Sequence, residues 1–115
     1  MKALKFKFDL DNKVAIYVPS TIGVDKVCDT RKQVDETLTK LSGWFGGATA
    51  TDAIGGWQSE SGKLVKEHIT IVYAFCTKVQ FTEHIDEIVE YCEKMRDELG
   101  QEAVALEYNG QIAFI

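Results

Sequence analysis

Residues 64–76 of this chain, LVKEHITIVYAFC, form the strongest strand pattern in the sequence. β-Branched and aromatic side chains fill both alternating sets, and the set of Ile69, Ile71 and Tyr73 is the more apolar. A strand that is apolar on both faces belongs in the interior of a sheet. We therefore predict a central strand here, with the Ile69, Ile71 and Tyr73 side packed against helices.

Two amphipathic helices flank this part of the chain. Apolar residues recur at helical spacing after the strand, at Phe81, Ile85, Ile88, Val89, Cys92, Met95 and Leu99. Thr82 is the predicted cap of this helix and Gly100 its stop. A shorter stripe of Val34, Leu38, Leu41 and Phe45 predicts a first helix from about Thr30 to Trp44, which Gly46 and Gly47 end.

The remaining segments alternate in the manner of strands. Period-two patterns or short apolar runs occupy residues 4–10, 14–18, 48–57, 104–108 and 111–115. The pair Asn109-Gly110 predicts a type I′ hairpin between the last two. Residues 19–29 mix Ser, Thr, Gly and Asp without periodicity and predict a loop.

The order of these elements, β-β-α-β-β-α-β-β, indicates one α+β domain over residues 1–115. Without its outermost strands, this order is the ferredoxin-like split βαβ arrangement, in which two helices cover one face of an antiparallel sheet. The other face stays open. The pattern leaves undecided where the first and last strands join the sheet.

Composition excludes several classes of partner. The chain has 13 basic and 18 acidic residues, a net charge of −5, and no basic stripe, so nucleic-acid binding is not expected. No run of about 18 apolar residues suits a membrane span, and no signal-peptide block opens the chain. Three cysteines without a Cys-x-x-Cys pair indicate no disulfide framework and a cytoplasmic protein.

The hairpin before the central strand determines which side chains share a face. If residues 59–62 make the turn, Trp57 opposes Leu64 and Ala53 opposes His68. The open face then carries a mixed group, namely Thr49, Thr51, Trp57, His68 and Thr70. A slip of one residue would exchange these assignments.

Such a face is too polar for a core and too apolar for water. Exposed apolar patches with an aromatic anchor such as Trp57 mark contact sites, and homo-oligomers are the commonest way to cover them. We therefore predict a homo-oligomer that associates through this face. The alternative is that the C-terminal hairpin folds over the face and makes it an ordinary interior.

The titratable residues form no motif of a known reaction. His68 and His84 have no metal-ligand spacing, so neither a metal nor a cofactor is predicted. His84 follows Glu83 at the start of an acidic helix and is expected to point into solvent. Glu67 and His68 are neighbours in a strand, so they point to opposite faces and cannot form a direct acid–base pair.

The middle of the chain resembles a family of small uncharacterised bacterial and phage-associated proteins. The residues that carry the resemblance are Phe45-Gly46-Gly47-Ala48-Thr49, then Gly56-Trp57, then Gly62, Val65 and Glu67. In that family a Phe-Gly turn ends a helix, a Gly-x-Trp or Gly-Trp sequence follows, and a Glu opens the next strand. The resemblance covers about residues 44–76 and implies a shared hairpin without implying a reaction.

Two functional hypotheses follow from these residues. The first is a non-catalytic oligomeric module that binds a small molecule or a protein partner through the open face, with Trp57 as anchor and the threonines and His68 beside it. The alternative is a small enzyme whose inter-subunit site uses Glu67 or His68, with Trp57 as a wall and Tyr17 or Arg31 as auxiliary polar groups. A concave pocket of some hundreds of Å³ would favour ligand binding or catalysis over a purely structural oligomer.

Overall fold

One antiparallel sheet and two helices make up the computed structural model, which describes residues 6–23 and 26–115. The elements in chain order are β1 (Asn12–Pro19), β2 (Thr21–Ile22), β3 (Lys26–Val27), α1 (Arg31–Phe45), β4 (Thr49–Gln58), β5 (Leu64–Cys76), α2 (Lys78–Glu98), β6 (Ala105–Tyr108) and β7 (Gln111–Phe114). The main sheet has the order β4-β5-β1-β6-β7, and β2 pairs only with β3. This is the predicted ferredoxin-like α+β arrangement with one added edge strand.

The strands β1 and β5 lie in the middle of the sheet, as their apolar patterns predict. β1 pairs with β5 on one side and with β6 on the other, both antiparallel. The last hairpin extends the sheet edge instead of covering a face. Asn109 and Gly110 have φ values of 49° and 81°, the two positive values that a type I′ turn requires.

The strand predicted over residues 4–10 is not confirmed. Residues 6–10 adopt no strand, and Leu4 lies outside the described residues. β1 already pairs with β5 along one edge and with β6 along the other, so the segment that precedes β1 cannot pair with it. Phe6 and Phe8 remain exposed.

Both helices pack on the same face of the sheet and enclose the core. Val14, Ile16 and Val72 from the sheet meet Leu41 of α1 and Ile88 of α2, and all five are fully buried. Gly46 ends α1 in the left-handed conformation, as predicted. Among the described residues, no helix is long and apolar enough to cross a membrane.

The start of α2 differs from the prediction. Thr77, not Thr82, caps the helix, because its hydroxyl accepts the Gln80 N–H while the Gln80 side chain accepts the Thr77 N–H. This reciprocal capping box satisfies two helix-end donors and outweighs the isolated threonine one turn later. The helix therefore begins one turn before the apolar stripe.

A buried polar contact joins the two helices. The hydroxyls of Thr37 and Tyr91 lie 2.8 Å apart, and Thr37 also donates to the Gln33 carbonyl oxygen at 2.6 Å. Burial raises the pKa of Tyr91 from 10.0 to about 12, and it raises the pKa of the adjacent Cys92 thiol from 9.0 to about 12. Both groups are therefore held in their neutral forms.

Candidate functional site

The register of the β4-β5 hairpin differs by one residue from the predicted register. Ser59 donates its N–H to the Lys63 carbonyl oxygen at 2.8 Å, which leaves three residues in the turn. Gly62 closes this turn with a φ of 84°. Three-residue hairpin loops need a left-handed residue at this point, and the glycine makes that loop favourable. Trp57 therefore pairs with Val65 and not with Leu64.

This slip changes which residues share a face, because neighbours in a strand point to opposite sides. Trp57 is on the same side as Glu67, since its partner Val65 is two residues from Glu67. The prediction that Trp57 shares a face with His68 and Thr70 was wrong. Those two residues pair with Ile54 and Asp52 and lie on the helix side of the sheet.

The open face is correspondingly more apolar than predicted. Ile69, Ile71 and Tyr73 were expected to meet the helices, yet Tyr73 pairs with Ala15 and Thr49 on the open side. Ile71 likewise pairs with Tyr17 and Thr51 on that side. Val72, Ala74 and Cys76 face the helices instead and are buried. The side chains on the two faces of β5 were thus exchanged in the prediction.

A cleft of about 360 Å³ lies between the β4-β5 hairpin and the segment that follows β1. We call it the Trp57 cleft, and its lining is Ser20, Thr21, Val27, Trp57, Val65, Lys66, Glu67 and His68. Trp57 is 57% exposed and Val27 is 80% exposed, so two apolar side chains border it without being covered. A concave site with an aromatic wall and a carboxylate has the features of a small-molecule site.

The strand opposite Glu67 leaves room beside this carboxylate. The pairing partner of Glu67 in β4 is Gly55, and an added Cβ at Gly55 would meet only the Glu67 carbonyl oxygen, at 3.8 Å. The next residue on that side, Ala53, is also small. Glu67 is half-buried between Trp57 and these small residues, so a ligand can approach it from the open face.

A second cleft, of about 520 Å³, adjoins the first. It contains Asp52, Ile54 and Thr70 on the helix side of the hairpin, and it shares Ser20 and His68 with the Trp57 cleft. The Ser20 hydroxyl donates to the His68 carbonyl oxygen, which joins the end of β1 to β5 between the two clefts. His68 thus lines both clefts from an exposed position.

The other residues proposed from the sequence lie apart from the Trp57 cleft. Thr49 and Thr51 are exposed on the open face, but neither lines the cleft. Tyr17 donates its hydroxyl to Glu107 at 2.7 Å, and this hydrogen bond raises the pKa of Tyr17. Arg31 forms an exposed ion pair with Asp29. The structure therefore brings Trp57 together with Glu67, and leaves Tyr17 and Arg31 outside the site.

His84 does not point freely into solvent. Its ring stacks on Trp44 with centroids 6.0 Å apart, and its Nδ1 lies 3.1 Å from Glu87 Oε1. Glu87 also accepts the Trp44 indole N–H at 3.1 Å. The end of α1 brings Trp44 beside the first turns of α2. The apolar patterns of the two helices do not predict this contact. His84 is therefore part of the packing of the two helices.

The segment that forms the far wall of the Trp57 cleft was missed in the sequence. Residues 19–29 show no periodicity, and the pairing of β2 with β3 involves only two residue pairs. Nothing in the pattern places Thr21 or Val27 beside Trp57. Within residues 6–23 and 26–115, no group of three His, Cys, Asp or Glu side chains could hold a metal ion.

Comparison with known proteins identifies the fold. No protein-family model and no curated protein matches the chain, so the family resemblance of the hairpin stays a prediction. A phage SAM lyase in complex with S-methyl-5'-thioadenosine superposes with a TM-score of 0.65 at 20% identity, covering 98% of this chain and 95% of that chain. A phage SAM lyase in its apo state gives 0.66 at 18% identity, covering 99% and 95%. At this identity the similarity establishes the fold.

The comparison corrects one functional prediction. A non-catalytic module was the preferred hypothesis, but both similar structures described above are of an enzyme, and one holds a small ligand. The prediction of a non-catalytic module was therefore wrong. The enzyme alternative, with Trp57 and Glu67 beside a pocket, is the better supported of the two.

Proposed function

We propose that this protein is a lyase that cleaves S-adenosylmethionine (SAM), with the Trp57 cleft as its active site. The observation that carries the proposal is the one-residue register that puts Trp57 and Glu67 on the same side of one cleft. The full-length fold similarity to a SAM lyase supports the same conclusion.

The chemistry of SAM fits these two side chains. Its adenine is a flat aromatic ring, which stacks favourably on an exposed indole such as that of Trp57. The molecule also carries two positive groups, a sulfonium and an ammonium, and the charged groups at the cleft include the Glu67 carboxylate. A carboxylate attracts cations through charge-assisted hydrogen bonds. We therefore assign adenine binding to Trp57 and cation binding to Glu67.

The reaction breaks the bond between the sulfonium sulfur and the γ-carbon of the methionine chain. Both electrons of that bond go to sulfur, which becomes the neutral thioether of S-methyl-5'-thioadenosine (MTA). The substrate's own carboxylate supplies a new electron pair to the γ-carbon and closes a lactone that keeps the ammonium group. Atoms and charge balance without water, and no proton needs to move.

The charge changes in this reaction indicate which of the two substrate cations the Glu67 carboxylate binds. The sulfonium charge is lost in the transition state, so an interaction with it would stabilise the substrate more than the transition state and would slow the reaction. The ammonium keeps its charge throughout. We therefore place Glu67 on the ammonium, where it holds the amino-acid part of SAM so that the carboxylate is aimed at the γ-carbon.

Replacement of Trp57 tests the adenine site. Loss of a base-stacking aromatic costs about 1–3 kcal/mol, so Trp57→Ala is expected to weaken MTA binding by about 10-fold, whereas Trp57→Phe keeps most of the affinity. Isothermal titration calorimetry with MTA measures this. The matched control is Trp44→Phe, which changes the tryptophan between the helices. Equal affinity for MTA in wild type and Trp57→Ala would refute the assignment.

We also propose that the enzyme is a homo-oligomer whose subunits meet through the open face, so that the site lies close to a neighbouring subunit. Apolar side chains on this face are left uncovered, including Phe75, Ile112 and Phe114, which is 71% exposed. Surface of this kind is typical of contacts between copies of a chain. Three unpaired thiols support a cytoplasmic location for the enzyme.

Native mass spectrometry tests the oligomer. We expect more than one copy of the wild-type chain per particle, and a shift toward monomer in Phe114→Glu because a charge would have to be buried in the contact. The matched control is Val79→Glu, which adds the same charge at a residue of similar exposure, 66%, at the start of α2. A wild-type monomer at micromolar concentration would contradict this proposal.

A further inference from the structure

The far wall of the Trp57 cleft has little support of its own. It consists of the short strands β2 and β3, which pair through only two residue pairs. An isolated two-stranded hairpin is marginally stable in water. Val27 is 80% exposed and Ile22 is 44% exposed, so these two apolar side chains bury little surface against the domain. Hydrogen bonds of the described residues therefore contribute much of what positions the strands.

One side chain supplies much of that hydrogen bonding. The amide nitrogen of Gln101, in the connection between α2 and β6, lies 2.9 Å from the Thr21 carbonyl oxygen and 2.8 Å from the Gly23 carbonyl oxygen. The Thr21 hydroxyl is also within reach, at 3.1 Å. The backbone of Gln101 is held in turn, because its backbone N–H donates to the Arg96 carbonyl oxygen at 2.9 Å.

Two backbone hydrogen bonds also tie the ends of the wall. The Gly23 N–H donates to the Leu99 carbonyl oxygen at 2.8 Å, and the Cys28 N–H donates to the Ser20 carbonyl oxygen at 2.9 Å. Gln101 does not line the Trp57 cleft. Its contact is to Thr21, which is buried and which itself lines the cleft. Gln101 can therefore affect a ligand only through the wall.

We propose that Gln101 is a positioning residue: its side-chain amide holds β2 and β3 where Val27 faces Trp57, and so it sets the affinity of the cleft for a flat apolar group. The identity of that group as an adenine nucleoside rests on the proposed function. The positioning of the wall does not, because it follows from hydrogen bonds that exist without ligand.

A thiol probe tests the positioning without any ligand. Cys28 is partly exposed at the end of the wall, whereas Cys76 and Cys92 are fully buried. We expect Gln101→Ala to raise the rate of Cys28 labelling by Ellman's reagent several-fold, with the two buried thiols still slow. The Gln101→Glu side chain keeps its size but cannot donate a hydrogen bond, so Cys28 should react at least as fast as in Gln101→Ala. Gln101→Lys restores a donor, so Cys28 should react more slowly than in Gln101→Ala.

The matched control is Gln111→Ala, the same change in the edge strand β7, which should leave Cys28 labelling at the wild-type rate. Unchanged labelling in Gln101→Ala, or equally fast labelling of all three thiols as in global unfolding, would overturn the proposal. The labelling result stands whether or not the protein cleaves SAM.

The link to the ligand is tested by the same variants with MTA. Gln101→Ala should weaken MTA binding about 5- to 10-fold, and it should raise KM for SAM by a similar factor with kcat within about twofold. Faster labelling with unchanged MTA affinity would overturn the role in ligand affinity. A wild type that binds no MTA would refute the proposed function, and the labelling rates would then decide the positioning role alone.

Discussion

The Glu67→Gln variant is expected to lose on the order of 100-fold in kcat/KM for SAM, about 2.7 kcal/mol of transition-state stabilisation, while its affinity for MTA changes less than about twofold. Glutamine has the size of glutamate but not its charge, so it cannot balance the substrate ammonium. MTA has no ammonium group, and its binding does not depend on this carboxylate. Steady-state kinetics and calorimetry on one preparation measure both quantities.

The control for this variant is Glu60→Gln, which removes an exposed carboxylate from the turn of the same hairpin. It should retain the wild-type kcat/KM, because Glu60 does not line the Trp57 cleft. Activity of Glu67→Gln within about threefold of wild type would remove Glu67 from the site. A parallel loss of MTA affinity would show that Glu67 supports the shape of the cleft instead of binding the ammonium.

Alkaline pH is expected to destabilise the protein strongly through two neighbouring residues of α2. The unfolded chain ionises Cys92 near its ordinary pKa of 9.0, whereas burial raises the folded pKa to about 12. Tyr91 behaves in the same way between 10.0 and about 12. Because both folded pKa values are raised, their contribution to stability is complete below pH 9 and is lost as the pH rises toward 12. For Cys92 alone the loss reaches about 4 kcal/mol.

Urea unfolding between pH 8 and pH 11.5 measures this loss. Cys92→Ala is expected to be about 1 kcal/mol less stable than wild type at pH 8, because it leaves a small cavity. Its free energy of unfolding should depend less on pH, so that it equals or exceeds the wild-type value near pH 11. Val72→Ala is the control, since it removes buried volume from the same core without a titrating group. Parallel profiles for wild type and Cys92→Ala would contradict the account.

Much of the fold could be predicted from the sequence because its strongest signals are local. The apolar runs of β1 and β5 placed both strands inside the sheet, and the stripe from Phe81 to Leu99 placed α2 on one face. The pair Asn109-Gly110 predicted its turn because few other residues accept two positive φ angles. The strand over residues 4–10 failed because the pattern cannot show that both edges of β1 are already paired.

The site was harder to predict because it depends on register and on contacts distant in sequence. A turn of three residues in place of four moved Glu67 to the face of the sheet that carries Trp57, and it moved His68 to the opposite face. Both turns are compatible with the same residues, Ser59 to Gly62, and the alternation of β5 is apolar on both faces. The wall formed by Thr21 and Val27 depends on Gln101, about 80 residues later in the chain, and no local pattern reports that contact.

Incubation of the purified protein with SAM in ¹⁸O-labelled water, followed by mass spectrometry of the products, tests the central claim most directly. The account predicts MTA together with the four-carbon lactone, both free of ¹⁸O at early times, and a rate about 100-fold lower in Glu67→Gln. Unchanged SAM after prolonged incubation, or homoserine whose earliest molecules already carry ¹⁸O at the γ-carbon, would contradict it.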